Sequence, residues 1–292
     1  MPYLLALLLA ASLYSTLSFA STPTSCNNNT DCIEVGRWDI GIALGYGNKT
    51  NPLKDYEDIP LYAVPTLAYY GDNWFFDNGN IGYTLSEGEN YTVNLITTFS
   101  NDSAFFHRWD PSNIFLLSGD SNHNAVTPLA STMTTRTAKD PKAIGELENR
   151  NFTYLGGVEA FIYTRFGIVH ATVAHDILNV HGGTESKLKW FYNLPLNKWN
   201  FEIAAVLDWK SEEVVDYYYG VRANESLYWN QAYQAESAVN KSIEFTGQYV
   251  LTDHWNLLFV ARYTDIANEI ADSPLLDKDY TSTYFVSAAY RF

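Results

Sequence analysis

The chain has 292 residues, with 33 acidic against 18 basic side chains for a formal net charge of −15, and 16% of its residues are aromatic, including 22 Tyr and 8 Trp. This balance excludes nucleic acid as a natural partner, because neutralising phosphates needs a basic face. Two cysteines are too few for a metal centre.

Residues 1–20 carry no charged side chain; Leu4 opens an apolar run to Ala11, and Ser18-Phe19-Ala20 supplies a small-x-small cleavage pattern. The expectation is a signal peptide over 1–20 and export from the cytoplasm. Residues 21–34 then form a short periplasmic segment, in which Cys26 and Cys32 enclose Asn-Asn-Asn-Thr-Asp and are expected to close a small disulfide loop in an oxidising compartment. Closing so short a ring restrains the unfolded chain by at most about 2–3 kcal/mol, so the bond tidies a terminus rather than holding the fold.

Beyond residue 20 no window comes near 18 uninterrupted apolar residues, so any membrane span has to be built of strands. Strands cross hydrocarbon only as a closed sheet, since an open edge would leave backbone N–H and C=O groups without partners. The pattern from 35 to 292 fits that requirement, with strands expected at 35–46, 60–70, 74–85, 91–99, 105–117 (the weakest), 152–163, 166–177, 186–194, 199–209, 238–251, 255–265 and 280–292. The fold class is therefore all-β, a transmembrane antiparallel barrel of about twelve strands, with ten as the alternative count. Alternation is clearest late in the chain, where Phe201, Ile203, Ala205, Leu207 and Trp209 oppose Glu202, Ala204, Val206 and Asp208.

Four short connections run into an aromatic residue, at Trp74, Phe166, Trp199 and Trp255, and belong on the periplasmic rim; the longer segments 47–59, 118–151, 210–237 and 266–279 then face outward. In the last strand Tyr284, Val286, Ala288, Tyr290 and Phe292 share one face, and a terminal Phe with apolar residues at alternate positions before it resembles the C-terminal signature that the barrel assembly machinery reads in bacterial outer-membrane proteins.

Several stretches together resemble the landmarks of the MipA/OmpV family: Gly41-Ile42-Ala43-Leu44-Gly45-Tyr46, Pro60-Leu61-Tyr62-Ala63-Val64-Pro65, Tyr217-Tyr218-Tyr219-Gly220-Val221, Ser273-Pro274-Leu275 and the closing Tyr290-Arg291-Phe292. The resemblance implies a barrel without enzymatic activity in the outer membrane of a Gram-negative bacterium. It further implies a scaffold of the cell envelope that brings together a murein-cleaving lytic transglycosylase and a penicillin-binding protein engaged in peptidoglycan synthesis. A small-solute porin and a surface adhesin are the alternative readings. The family offers no catalytic, cofactor-binding or metal-binding residues to carry over.

Chemistry read from the residues agrees. His170, His175 and Asp176 invite a catalytic or metal reading, but on a strand His170 and Asp176 share a face while His175 points away. No G-x-S-x-G, H-E-x-x-H or phosphate-binding loop occurs. The Tyr217-Tyr218-Tyr219 run is expected to be an aromatic belt or a loop-packing element rather than an exposed binding patch.

Overall fold

The computed structural model describes residues 35–107, 110, 113, 144–145 and 147–292. The expected signal peptide, the segment up to residue 34 with its cysteine pair, and most of 118–151 lie outside them. Twelve strands are arranged in a closed antiparallel barrel: β1 (Trp38–Lys49), β2 (Ile59–Tyr70), β3 (Trp74–Asp77), β4 (Asn80–Gly88), β5 (Tyr91–Phe99), β6 (Tyr154–Thr164), β7 (Gly167–Asp176), β8 (Thr184–Leu196), β9 (Trp199–Lys210), β10 (Ala238–Val250), β11 (Trp255–Asp265) and β12 (Tyr280–Arg291). Every strand pairs with its neighbours in sequence, and β12 returns to β1 with Gly41 opposite Arg291 and Lys49 opposite Thr283.

The strand count agrees with the sequence reading, but two of its parts do not. The stretch 74–85 is not one strand: Asn78 (φ 47°) and Gly79 (φ 92°) both occupy the left-handed region and turn it into the β3–β4 hairpin. An Asn-Gly pair with positive φ at both positions makes the two-residue turn whose twist matches paired strands. Nor do the described residues of the strand expected at 105–117 form one: Ser103–Phe106 is a short helix, α1, and most of 108–117 lies outside the described residues. Phe105 and Phe106 pack beside the loop core instead of alternating between two sheet faces.

The polarity of the sheet is inverted relative to a soluble protein. Ile203 and Leu207 face outward on β9 at 51% and 45% exposure, whereas Ala204 and Val206 are buried on the inner face. On β12, Tyr284 and Val286 are exposed, as is Phe292 just past its end, while Phe285 and Ser287 point inward. The interior carries His170, Lys189, Lys210, Glu185 and Asn94, all buried. Aromatic pairs mark both ends of the outer wall. At the short-turn end Trp38 meets Tyr69 (5.1 Å), Tyr69 stacks on Trp74 (4.7 Å) and Trp255 meets Tyr290 (5.0 Å). At the long-loop end Tyr46 meets Tyr62 (6.1 Å) and Tyr263 stacks on Tyr280 (5.8 Å). Tyr280 and Tyr290 bound β12, and a tilted strand of that length crosses roughly 25 Å, the height of an outer-membrane apolar band.

Between the strands, one end has only tight connections, 71–73, 89–90, 165–166, 197–198 and 251–254. The other end carries 50–58, 100–153, 177–183, 211–237 and 266–279. Helices α2 (Glu212–Tyr219), α3 (Leu227–Ala232) and α4 (Asn268–Ala271) lie within these longer loops.

Candidate functional site

The site is a lumen with one end covered. Its cover begins with α2, where Val214, Val215, Tyr218 and Tyr219 are buried and form one stripe, and Glu212 and Glu213 sit in the first turn, where the helix dipole favours acids. Against that stripe pack Leu53 from the first long loop, Val221 just past α2, and Ile266, Ile270, Leu275 and Leu276 from the last. The expected packing role of the tyrosine run is therefore what the fold uses, and Tyr218 is fully buried.

Polar bonds stitch the same loops together. Ser273 Oγ donates to the Tyr219 carbonyl (2.6 Å), joining two segments distant in sequence, and the Tyr219 hydroxyl donates to Asp102 (3.0 Å). Asn51 Nδ2 donates to the Phe105 carbonyl (2.8 Å), and an isolated bridge pairs Leu53 with Leu276. Arg150 and Glu225 form a two-pronged ion pair (2.7 and 3.0 Å) with both side chains fully buried, and the same guanidinium donates to the carbonyls of Gly220 and Glu148. Burial alone would raise the Glu225 carboxyl, but Arg150 and the backbone N–H groups of Arg222 and Glu148 hold it below its ordinary value. Burial raises the Tyr219 hydroxyl well above the usual range, and the neighbouring Asp102 adds to this, so the hydroxyl stays protonated as a donor.

Asp176 organises the 177–183 loop: Oδ2 accepts the N–H groups of His181 and Gly182 (2.7 and 2.9 Å), and Oδ1 accepts the Thr153 hydroxyl (2.6 Å). His181 Nδ1 accepts the Gly183 N–H (2.9 Å), which fixes the ring as neutral on that nitrogen. Under the cap, the buried Lys210 ammonium sits among Asp102 (2.9 Å), Asp208 (3.3 Å) and Glu185 (3.5 Å), so one cation faces three carboxylates.

Below this cover the barrel encloses a cavity of about 1090 Å³ that runs from Glu185 and Asp208 down to Asp72 and Asn73 on the short-turn rim. Midway, Lys189 pairs with Glu202 (3.2 Å) and Glu244 (3.1 Å), and Arg262 also bonds Glu244. His170 contacts Glu159 (2.9 Å) and Thr172 (3.1 Å), both through the same ring nitrogen, Nε2. A hydroxyl nucleophile, its base and an orienting acid need the two ring nitrogens separately, so this trio cannot run that chemistry. His170 and Asp176 face inward and His175 outward, where it bonds Thr184. Among the described residues no group of three or more His, Cys, Asp or Glu is placed to hold a metal ion. The cap networks, which join residues as far apart in sequence as Tyr219 and Ser273 (54) or Arg150 and Glu225 (75), had no signal in the sequence beyond the apolar stripe of α2.

An apolar outer wall, a charged interior, closure through β1 and β12, and an aromatic girdle at each end define an outer-membrane β-barrel. The chain belongs to the family of MltA-interacting protein MipA, whose model matches residues 40–292. It is 26% identical over 258 residues to the MltA-interacting protein of Escherichia coli (strain K12), covering 88% of this chain and 91% of that protein. It is 25% identical over 255 residues to the putative outer membrane protein YiaT of the same strain, covering 87% and 91% respectively. It is 23% identical over 288 residues to outer membrane protein OmpV of Vibrio cholerae, covering 99% of both. These relatives bear the names of membrane and interaction proteins rather than of enzymes, and they place this chain in the outer membrane.

Proposed function

We propose that the protein is a non-enzymatic scaffold of the cell envelope that engages murein enzymes, a lytic transglycosylase and a penicillin-binding protein, through its periplasmic rim. The reading rests on one observation above all: the described residues of the long loops pack over one mouth around a common apolar cluster, while the cavity reaches the short-turn rim at Asp72 and Asn73. The name of the Escherichia coli relative, which interacts with MltA, points to the same class of partner. The outward face of Tyr284, Val286, Ala288, Tyr290 and Phe292 is assigned to recognition by the assembly machinery and afterwards to lipid. Photo-crosslinking residues placed at Asp72, Asn197 and Asp253 in living cells test the scaffold reading. Adducts with a transglycosylase or a penicillin-binding protein are expected, and labelling that recovers no murein enzyme from any of the three turns overturns it.

The cavity itself favours a second reading, a pore for small solutes. Planar-bilayer recordings discriminate: the capped barrel is expected to give no channel events, and steady conductance by the intact protein would favour the pore.

A further inference from the structure

The lining of the lumen is lopsided in charge. It carries eight carboxylates, among them Asp39, Asp77, Glu87 and Glu159, against the two cations Lys187 and Arg291. Lys189 and Lys210 pair with three of those acids and leave the excess negative. A walled, low-dielectric vestibule with that balance concentrates cations and repels anions.

A second observation concerns hydrogen bonding. Asp39 Oδ2, Asn80 Oδ1, Asn94 Oδ1 and Asn256 Oδ1 are buried oxygens with no partner in the structure, and all four residues line the cavity. Asp39 and Asn94 are 5% exposed and Asn80 is 9% exposed. Arg291 satisfies the other oxygen of Asp39 (2.6 Å), and Asn94 spends its amide N–H on Glu159 (2.9 Å). All four unmet atoms are acceptors, so what the lumen lacks is donors.

The register gives the spacing. Asp39 lies opposite Ala68, Ala68 opposite Asp77 and Asp77 opposite Asn80, so one row across β1 to β4 reads acid, methyl, acid, amide. Asp39 and Asp77 are two strands apart, about 10 Å; Asp77 accepts from the Tyr70 hydroxyl (3.1 Å) and the Asn78 amide (2.8 Å). Asn94 and Asn256 extend the acceptors to other parts of the wall, too dispersed to converge on a single ion. The rings of Tyr70, Phe75 and Phe161 add apolar surface suited to methylene chains and to cations over aromatic faces.

We propose that the lumen is a binding site for linear polyamines, entered from the periplasmic rim past Asp72 and Asn73. Several ammonium groups along one flexible chain answer the negative excess, supply the missing donors and match acceptors spread along a wall. This site is independent of which proteins the rim engages.

Calorimetric titration of the full-length barrel in detergent micelles at low ionic strength tests it, with spermine as the probe and maltotriose and citrate as neutral and anionic controls. Saturable spermine binding is expected, with citrate silent and maltotriose far weaker. Asp39→Asn combined with Asp77→Asn should weaken spermine binding roughly tenfold or more. Asn80→Ala and Asn256→Ala, which remove two of the unmet oxygens, should weaken it while leaving the heat-dependent gel shift of the folded barrel intact. Glu213→Gln on the cap should leave it unchanged. Absence of saturable spermine binding, equal binding of maltotriose, or full affinity in both the acid and the asparagine variants overturns the proposal.

Discussion

Arg150 is the residue on which the cover depends most directly. Its guanidinium is fully buried and holds Glu225, Gly220 and Glu148 at once. Removing one member of such a pair strands the other charge out of water, so Arg150→Ala should cost about 3–5 kcal/mol of local stability. Proteolysis of intact cells is then expected to cut the 211–237 loop in the variant and to spare it in the parent. Acidity should act on the same cover in two stages. Burial lowers His181 below its ordinary value of 6.5, so the unfolded segment takes up a proton first, and its contribution is complete above about pH 6.5 and declines below it. Glu225 is held below 4.5, so its contribution is complete above about pH 4.5 and is lost as the pH falls through its lowered value. Protection against hydrogen exchange across 212–219, taken relative to each amide's intrinsic rate at the same pH, should therefore fall first below about pH 6.5 and again below about 4.5; protection that is flat from pH 7 to 4 would contradict both assignments.

Among the elements, the β1–β12 seam and the β3–β4 hairpin are the most constrained. A Cβ on Gly45 would lie 2.0 Å from the carbonyl oxygen of Val286 and 2.6 Å from the Cα of Ser287, both backbone atoms of β12. Gly45→Ala should thus force the closing strands apart at a cost of about 1–3 kcal/mol, read as a smaller heat-modifiable folded fraction and a lower unfolding temperature. The hairpin is short, and residues 59–66 of β2 pair with β1 but with no strand on their other side among the described residues. Leu67 bonds Asn78 through both its backbone groups, so Pro65, two residues earlier, turns its missing N–H toward that same edge, a device that blunts an unpaired strand. A barrel with inverted polarity and short turns gathered at one end was legible from alternation and turn residues, whereas the total of twelve agrees only because the strand expected at 105–117 is replaced by the splitting of 74–85. The Asn78-Gly79 turn signal is present in the sequence, but the aromatic and apolar run on either side of it reads as a single strand and masks the hairpin. Helix α1 was not legible: Phe105 and Phe106 look like strand residues until the loops supply something to pack against.

Across the whole molecule, a sheet closed on itself satisfies its backbone only if the cover and the wall are separate constructions. The wall answers to lipid and the cover to water, and the two meet at Lys210, which ends β9 while bonding Asp102 of the loop. Removing 211–237 should accordingly leave the strands paired and open the mouth: channel events should appear in planar bilayers for the deletion and not for the parent. If the deleted form also remains silent, side chains of the lumen rather than the loops close the path.

The pairing of the first strand with the last has an implication for how the protein comes into being. Phe292 donates its N–H to Ile40, and Gly41 waits for Arg291, so one half of the seam exists only when synthesis has nearly ended. Long-range contacts of this kind exact their loop-closing entropy before they return anything. Until β12 is in place the sheet keeps two unpaired margins, and losing that strand would leave it unsealed rather than slightly narrower.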